Sequence, residues 1–138
     1  MTQTFTFKIA ETLDEKRQAY AVRFQCLTLE QGDTTHADVQ LGLFKDPLDE
    51  QPRSRLFVAV DEASGKVVST VRILQRSEGP FLADYLYPYE ELAKIYNCSP
   101  HAVVNKVVLF GRAGTLAPFR NVSPSIFTRL WDFSLASI

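Results

Sequence analysis

The sequence predicts one α/β (α+β) domain over residues 1–138, with a mixed, mainly antiparallel sheet flanked by helices. Three observations carry that expectation. Apolar residues make up 46% of the 138 and aromatics 12%, enough to bury one core and too much for a disordered chain. Two runs rich in β-branched residues, Leu56–Val60 and Lys66–Leu74, are joined by Asp61-Glu-Ala-Ser-Gly65, the turn chemistry of an antiparallel hairpin. Two further runs have helical periodicity and begin with residues suited to capping.

Taken along the chain, Phe5–Ile9 alternates apolar and polar residues, as a half-buried strand does. Thr12-Leu-Asp-Glu15 forms a capping box, in which the Thr hydroxyl and the Glu carboxylate each satisfy an orphan amide. The helix it opens puts Leu13, Tyr20, Phe24 and Leu27 on one stripe and Ala19 and Cys26 on the next, and should end near Gln31-Gly32. Residues 32–54 are polar and irregular, broken by Asp46-Pro-Leu-Asp49 and Pro52.

After the hairpin comes an aromatic segment, residues 81–96, expected to be helical from about Pro88. Val103–Phe110 reads as a strand and Gly111–Val122 as the loop that follows it. Ser123 is the expected N-cap of the last helix and Pro124 its first residue. Ile126, Phe127, Leu130, Trp131, Phe133 and Leu135 then cover most of that helix's circumference, so it should need cover on more than one side. No Gly or Pro ends it before Ile138, and the expectation is a domain incomplete at its C-terminus.

Charge excludes some partners. Lys+Arg number 15 against Asp+Glu 16 with no basic run, so neutralising a nucleic-acid backbone is not expected. No apolar stretch is long enough to span a bilayer, and the first residues lack a signal-peptide plan, which makes the cytoplasm the expected location. Cys26 and Cys98 lie far apart and His36 and His101 are isolated, so no metal site is expected and each cysteine reads as a buried free thiol.

Four arginines stand out. Arg23 falls inside the apolar arc of its helix, where a guanidinium must find an anion. Asp46 and Asp49 are its candidate partners, either as a structural ion pair or as part of a site. Arg72 shares a strand face with Val68, Thr70 and Leu74, so it is paired or functional, or else it reaches solvent from an edge strand. Arg112, at a strand end, invites the same two readings. Arg120-Asn-Val-Ser-Pro-Ser125 leads into a helix and offers unpaired amides beside a phosphate-binding arginine, or simply an ordinary N-cap.

The order of these parts resembles the first two-thirds of the GNAT N-acyltransferase fold. It is nearest the branch holding the autoinducer (acyl-homoserine-lactone) synthases and the long-chain N-acyl amino acid synthases. Tyr20-Ala-Val-Arg23, Asp46-Pro-Leu-Asp49, Val68-Ser-Thr-Val-Arg72-Ile-Leu74 and Phe110-Gly-Arg112 stand where that branch has its helix arginine, D-x-x-D, hairpin arginine and strand-end arginine. Pro118-Phe-Arg120 resembles the run before the family's pyrophosphate loop.

The resemblance implies transfer of an acyl group from a phosphopantetheine thioester, acyl-CoA or acyl-carrier protein, to a small amine such as an amino acid, with no metal. It implies catalytic roles for Arg23, Asp46, Asp49, Arg72 and Arg112. Leu109, Phe110 and Gly111 would pair with the pantetheine amides. Arg120, Asn121, Val122, Ser123 and Ser125 would hold a phosphate, with Ser123 and Ser125 where the family has glycines. The family's glutamate position is Leu109, leaving Asp46, Asp49 or a water as the base. Phe81, Tyr85, Tyr87, Trp131 and Phe133 line an acyl tunnel or are plain core. The second reading is a truncated or degenerate GNAT-like domain serving as a non-catalytic binding or assembly module. Either form, with an open sheet edge, is expected to self-associate.

Overall fold

The β-branched stretch Lys66–Gln75 forms the longest strand in the computed structural model, which describes residues 3–75, 89–95, 97–99 and 108–137. In chain order the elements are β1 (Phe5–Ile9), α1 (Leu13–Arg23), β2 (Ala37–Asp38), β3 (Leu43–Phe44), β4 (Ser54–Asp61), β5 (Lys66–Gln75), α2 (Tyr89–Ile95), β6 (Val108–Thr115) and α3 (Ile126–Ala136). Four strands make one antiparallel sheet in the order β1-β4-β5-β6, and β2 pairs with β3 beside it. The sheet is mixed with helices in sequence, antiparallel in every described pairing, and flanked on both faces.

Side-chain alternation decides what each face holds. Leu56, Val58 and Val67 meet Ala19, Val22 and Cys26 of α1 and its continuation. On the opposite face Phe57, Val71 and Ile73 meet Leu130 of α3, with Phe127 and Phe133 packed alongside. The capping box forms as expected: Glu15 N donates to Thr12 Oγ1 and Thr12 N donates to Glu15 Oε1, each at 3.1 Å. The helix continues as a π-helical turn, Phe24–Leu29, and the chain turns away at Gly32, whose φ of +79° suits glycine.

Four expectations need correction. Leu13 is 86% exposed instead of core-facing, because the small Ala19 sits fully buried and lets the helix settle on its Ala19–Val22–Cys26 flank. β6 runs on to Thr115, so Gly111–Thr115 is strand and not loop. These residues have little strand propensity of their own, and pairing of Thr70 with Gly114 and Ser69 with Thr115 supplies what propensity lacks. The cap of α3 is Ser125, not Ser123, since its Oγ is the one that accepts Thr128 N, at 3.3 Å; Pro124 follows a cis peptide bond and precedes the helix. Cys98 is exposed, lying just after α2, while Cys26 is buried as expected.

Gly114 is the position where close approach demands a missing side chain. A Cβ there would sit 2.9 Å from Cys26 Sγ. Gly114→Ala is therefore expected to destabilise the fold by about 1–3 kcal/mol in urea unfolding. Adding Cys26→Ala should recover part of that loss, and no recovery would mean the clash is not the cause.

α2 begins where the sequence placed its helix. The rest of the aromatic segment with Phe81, Tyr85 and Tyr87, the start of the predicted Val103 strand, and His101 lie outside the described residues. Trp131 and Phe133 pack as core: Trp131 stacks on Phe110 at 4.2 Å between centroids, and Phe133 lies 6.1 Å from Phe57. Among the described residues no helix is long and apolar enough to cross a membrane.

Candidate active site

Asp46-Pro-Leu-Asp49 is the local device that builds the site. Its two carboxylates fold it into a 3₁₀ turn, Pro47–Glu50, capped reciprocally at its N-terminal end: Leu48 N donates to Asp46 Oδ1 at 2.9 Å and Asp46 N donates to Asp49 Oδ2 at 2.8 Å. This holds both carboxylates toward the end of α1 and the sheet.

Three arginines from three elements converge on them. Arg23, from α1, makes a bidentate pair with Asp49, 2.8 Å to Oδ2 and 3.0 Å to Oδ1, with both side chains fully buried. Arg72, from β5, bridges the two carboxylates, 2.5 Å to Asp46 Oδ1 and 3.1 Å to Asp49 Oδ1. Arg112, from β6, donates from Nε to Asp46 Oδ2 at 2.7 Å and lies 3.8 Å from Asp33. The charges thus alternate from α1 to β6 as Arg23, Asp49, Arg72, Asp46, Arg112. The solvent reading of Arg72 falls, because β5 is an interior strand and Arg72 is 3% exposed. Asp46 is not a direct partner of Arg23; it serves Arg72 and Arg112.

Only one member of this chain of charges reaches the surface appreciably. Arg112 has 26% of its side chain exposed, its guanidinium lies over the Phe44 ring at 5.0 Å, and its φ is +51°. It sits in a β-bulge: Thr70 pairs with Gly114 and Arg72 with Gly111, so Arg112 and Ala113 together oppose Val71. A left-handed arginine is held there at a cost of roughly 1–3 kcal/mol, against which the Asp46 hydrogen bond and the Phe44 contact act. Beyond it, the outer edge of β6 has no strand partner among the described residues.

Burial pushes the Asp46 carboxyl up, but hydrogen bonds and charge from Arg72 and Arg112 outweigh it and hold its pKa down to about 2, against an ordinary 3.8. A carboxylate that acidic has little appetite for a proton at neutral pH, which weighs against Asp46 as a general base. Asp49, enclosed between Arg23 and Arg72, has no exposed side-chain surface to offer an incoming amine. The lowered folded pKa also sets a pH dependence. Its stabilisation is whole above the unfolded pKa of about 4 and is lost as pH falls toward 2. Glu15, held near 2 by Lys8 and the capping amides, adds to the same slope. The stability gap between the parent and Asp46→Asn, followed by urea unfolding, should therefore shrink between about pH 4 and pH 2. A constant gap would contradict the pairing.

The expected phosphate cradle fares differently. A groove runs along β6 and is lined by Cys26, Glu30, Gln31, Gly114, Thr115 and Arg120, so the turn does adjoin a cleft. Arg120 is not a free phosphate fork, however. Its NH2 binds both Glu30 oxygens and its Nε donates to Thr115 O at 2.8 Å. Asn121, Ser123 and Ser125 are exposed and Val122 half-buried, so the run itself faces outward. Leu109, Phe110 and Gly111 lie on β6, half-buried, with Phe110 packed on Trp131.

Three contributors were not singled out from the sequence: Phe44, Asp33 and Glu30. Phe44 is the lone Phe, Tyr or Trp of the polar 32–54 stretch, and that isolation was its signal. Glu30 places a carboxylate at a helix C-terminal end, against the macrodipole, which flags a cationic partner. Asp33 carried no such mark. Among the described residues no group of His, Cys, Asp and Glu is placed to hold a metal ion.

Fold and site together define a mixed α+β body of GNAT-like architecture whose bulged strand, at the edge of the sheet among the described residues, is backed by a buried arginine–aspartate network. Among solved structures the chain is similar to FeeM, an N-acyl amino acid synthase from uncultured soil microbes, with a TM-score of 0.63 over 98% of this chain. The chain spans 64% of that protein's length at 13% identity, so the likeness establishes the fold. No protein-family model and no curated protein matches the chain.

Proposed function

We propose that the chain is an N-acyltransferase, moving an acyl group from the thioester of acyl-CoA or an acyl-carrier protein to a small amine such as an amino acid. The observation that carries this reading is the bulge at Arg112 on a strand edge without a strand partner among the described residues, in a fold shared with an N-acyl amino acid synthase. An extended pantetheine arm would add to the outer edge of β6 near Leu109–Gly111 by backbone hydrogen bonds. The amine would then meet the thioester carbonyl beside the bulge, forming the new N–C bond as the C–S bond breaks and the thiol leaves.

Arg112 would orient the acceptor, and Arg23, Asp49, Arg72 and Asp46 would hold Arg112 in place from behind. That division follows from burial: the first four have essentially no exposed side-chain surface, and Arg112 has some. With leucine at the family's glutamate position and both aspartates committed to arginines, the amine's proton would pass to water. The outward-facing run Asn121–Ser125 would meet the donor's phosphate with backbone amides.

The test is incubation with a panel of acyl thioesters and amino acids, with N-acyl product read by mass and free thiol by colorimetry. Product with matching thiol release is the expected result. Thiol release without product, or neither, overturns it. The pairing of Arg120 with Glu30 and the missing glutamate favour a second reading, a GNAT-like binding or assembly module without turnover. A thermal shift with thioester but no product would select that one.

A further inference from the structure

A cavity on the opposite flank of α1 takes no part in the acyl-transfer reading. It lies between the first turns of α1, the ends of β1 and β4, and the loop after β3, and encloses about 370 Å³. That is within the size range of small-ligand sites. Its floor is apolar, made by Ala10, Leu43 and Leu56, of which Ala10 and Leu56 are buried.

Its lining residues include four cations, Lys16, Arg17, Lys45 and Arg55, and two acidic residues, Asp49 and Glu50. Neither carboxylate is available to an outside cation. Asp49 is enclosed by Arg23 and Arg72, and Glu50 is paired with Lys45. The side chains of Lys16, Arg17 and Arg55 make no ion pair or hydrogen bond among the described residues. In a chain of net charge −1, unmatched positive charge gathered around one apolar hollow needs an explanation. Low-dielectric walls focus that potential into the hollow and raise the local concentration of anions.

Helical geometry puts the key groups together. Leu13, Lys16 and Arg17 share the flank of α1 that faces away from its buried Ala19–Val22–Cys26 side, Tyr20 lies beside them at the margin of that core, and all four line the cavity. Tyr20 is half-buried and its hydroxyl has no hydrogen-bond partner among the described residues, so it is a further donor.

We propose that this cavity binds a small organic oxyanion, an apolar body bearing one carboxylate or phosphate. The body lies on the Ala10–Leu43–Leu56 floor and the charged end is held by Lys16, Arg17 and the Tyr20 hydroxyl. The site is separate from the β6 groove, yet it shares two residues with the charge network. Asp49 lines the cavity, and the Tyr20 ring lies 5.3 Å from the Arg23 guanidinium. A bound anion is therefore expected to stabilise the fold as a whole.

Octanoate and phenyl phosphate serve as carboxylate and phosphate probes, and octanol is the uncharged control. Binding is read by amide NMR shifts and by thermal shift. At least one anion is expected to move the amides of Lys16, Arg17 and Leu56 saturably, and octanol to bind about tenfold more weakly or not at all. The double variant Lys16→Glu/Arg17→Glu should weaken the anion at least about tenfold. Its unliganded melting should stay near the parent's, because glutamates suit the first turns of a helix. A Lys16→Gln/Arg17→Gln pair serves if the reversal disturbs folding. Octanol binding as well as octanoate, shifts that map to β6 instead, undiminished binding in the variants, or no binding up to about 10 mM would each overturn the proposal. Acyl transfer by the variants, without added anion, is expected to match the parent's, so the two readings fail separately.

Discussion

Arg23→Ala is expected to lower stability by about 3–5 kcal/mol, read by urea unfolding. The substitution leaves the Asp49 carboxylate buried with Arg72 as its one remaining guanidinium, and desolvation that the bidentate pair had offset goes uncompensated. Loss of the larger side chain also opens a void against Phe44, whose carbonyl oxygen lies 3.5 Å from Arg23 NH1. The informative comparison is the double variant Arg23→Met/Asp49→Leu, which replaces both charges by apolar groups. It should lose clearly less than the sum of the two single changes, because an ion pair removed whole leaves no orphaned charge. Additive losses would show that the two side chains do not act as a pair. Under the proposed function, any loss of turnover in Arg23→Ala would follow from the displaced network, since the Arg23 side chain is fully buried.

The second large effect is on activity. Under the acyl-transfer function proposed above, Arg112→Ala is expected to reduce turnover by about 100-fold in kcat/KM, the scale on which a lost positioning contact acts. It should cost stability little, about 1 kcal/mol or less, because Asp46 keeps Arg72 and the lost pair is partly exposed. Arg112→Gly separates backbone from side chain. Glycine takes a φ of +51° without a Cβ penalty, so this variant should be more stable than the alanine variant and equally slow. Wild-type turnover in both would remove Arg112 from the mechanism and leave the bulge as a purely structural feature.

Local chemistry was legible where neighbours in sequence decide it. The Thr12–Glu15 box, the hairpin at Asp61–Gly65 and the helix start near Pro88 all appear, because caps and tight turns are satisfied within a few residues. Arg23 betrayed its buried pairing by its place on the helix, and Asp49 is indeed its partner. The expected strand end at Phe110 and the expected cap at Ser123 differ from the structure for one reason. Gly-Arg-Ala-Gly-Thr lacks strand propensity, and two serines two residues apart are equal capping candidates, so distant partners chose between the options.

The alternation of strand and helix, the antiparallel hairpin and the need of each core-facing arginine for an anion are all written into the residue pattern. Long-range packing set which aspartate each arginine takes, left Arg112 alone of the three partly in solvent, and gave Arg120 to Glu30. Those outcomes rest on contacts between residues 23 to 90 positions apart, whose geometry is set by how the helices and the loop after β3 pack on the sheet. Periodicity along the chain carries no record of such pairings, because it reports only which side of an element faces inward.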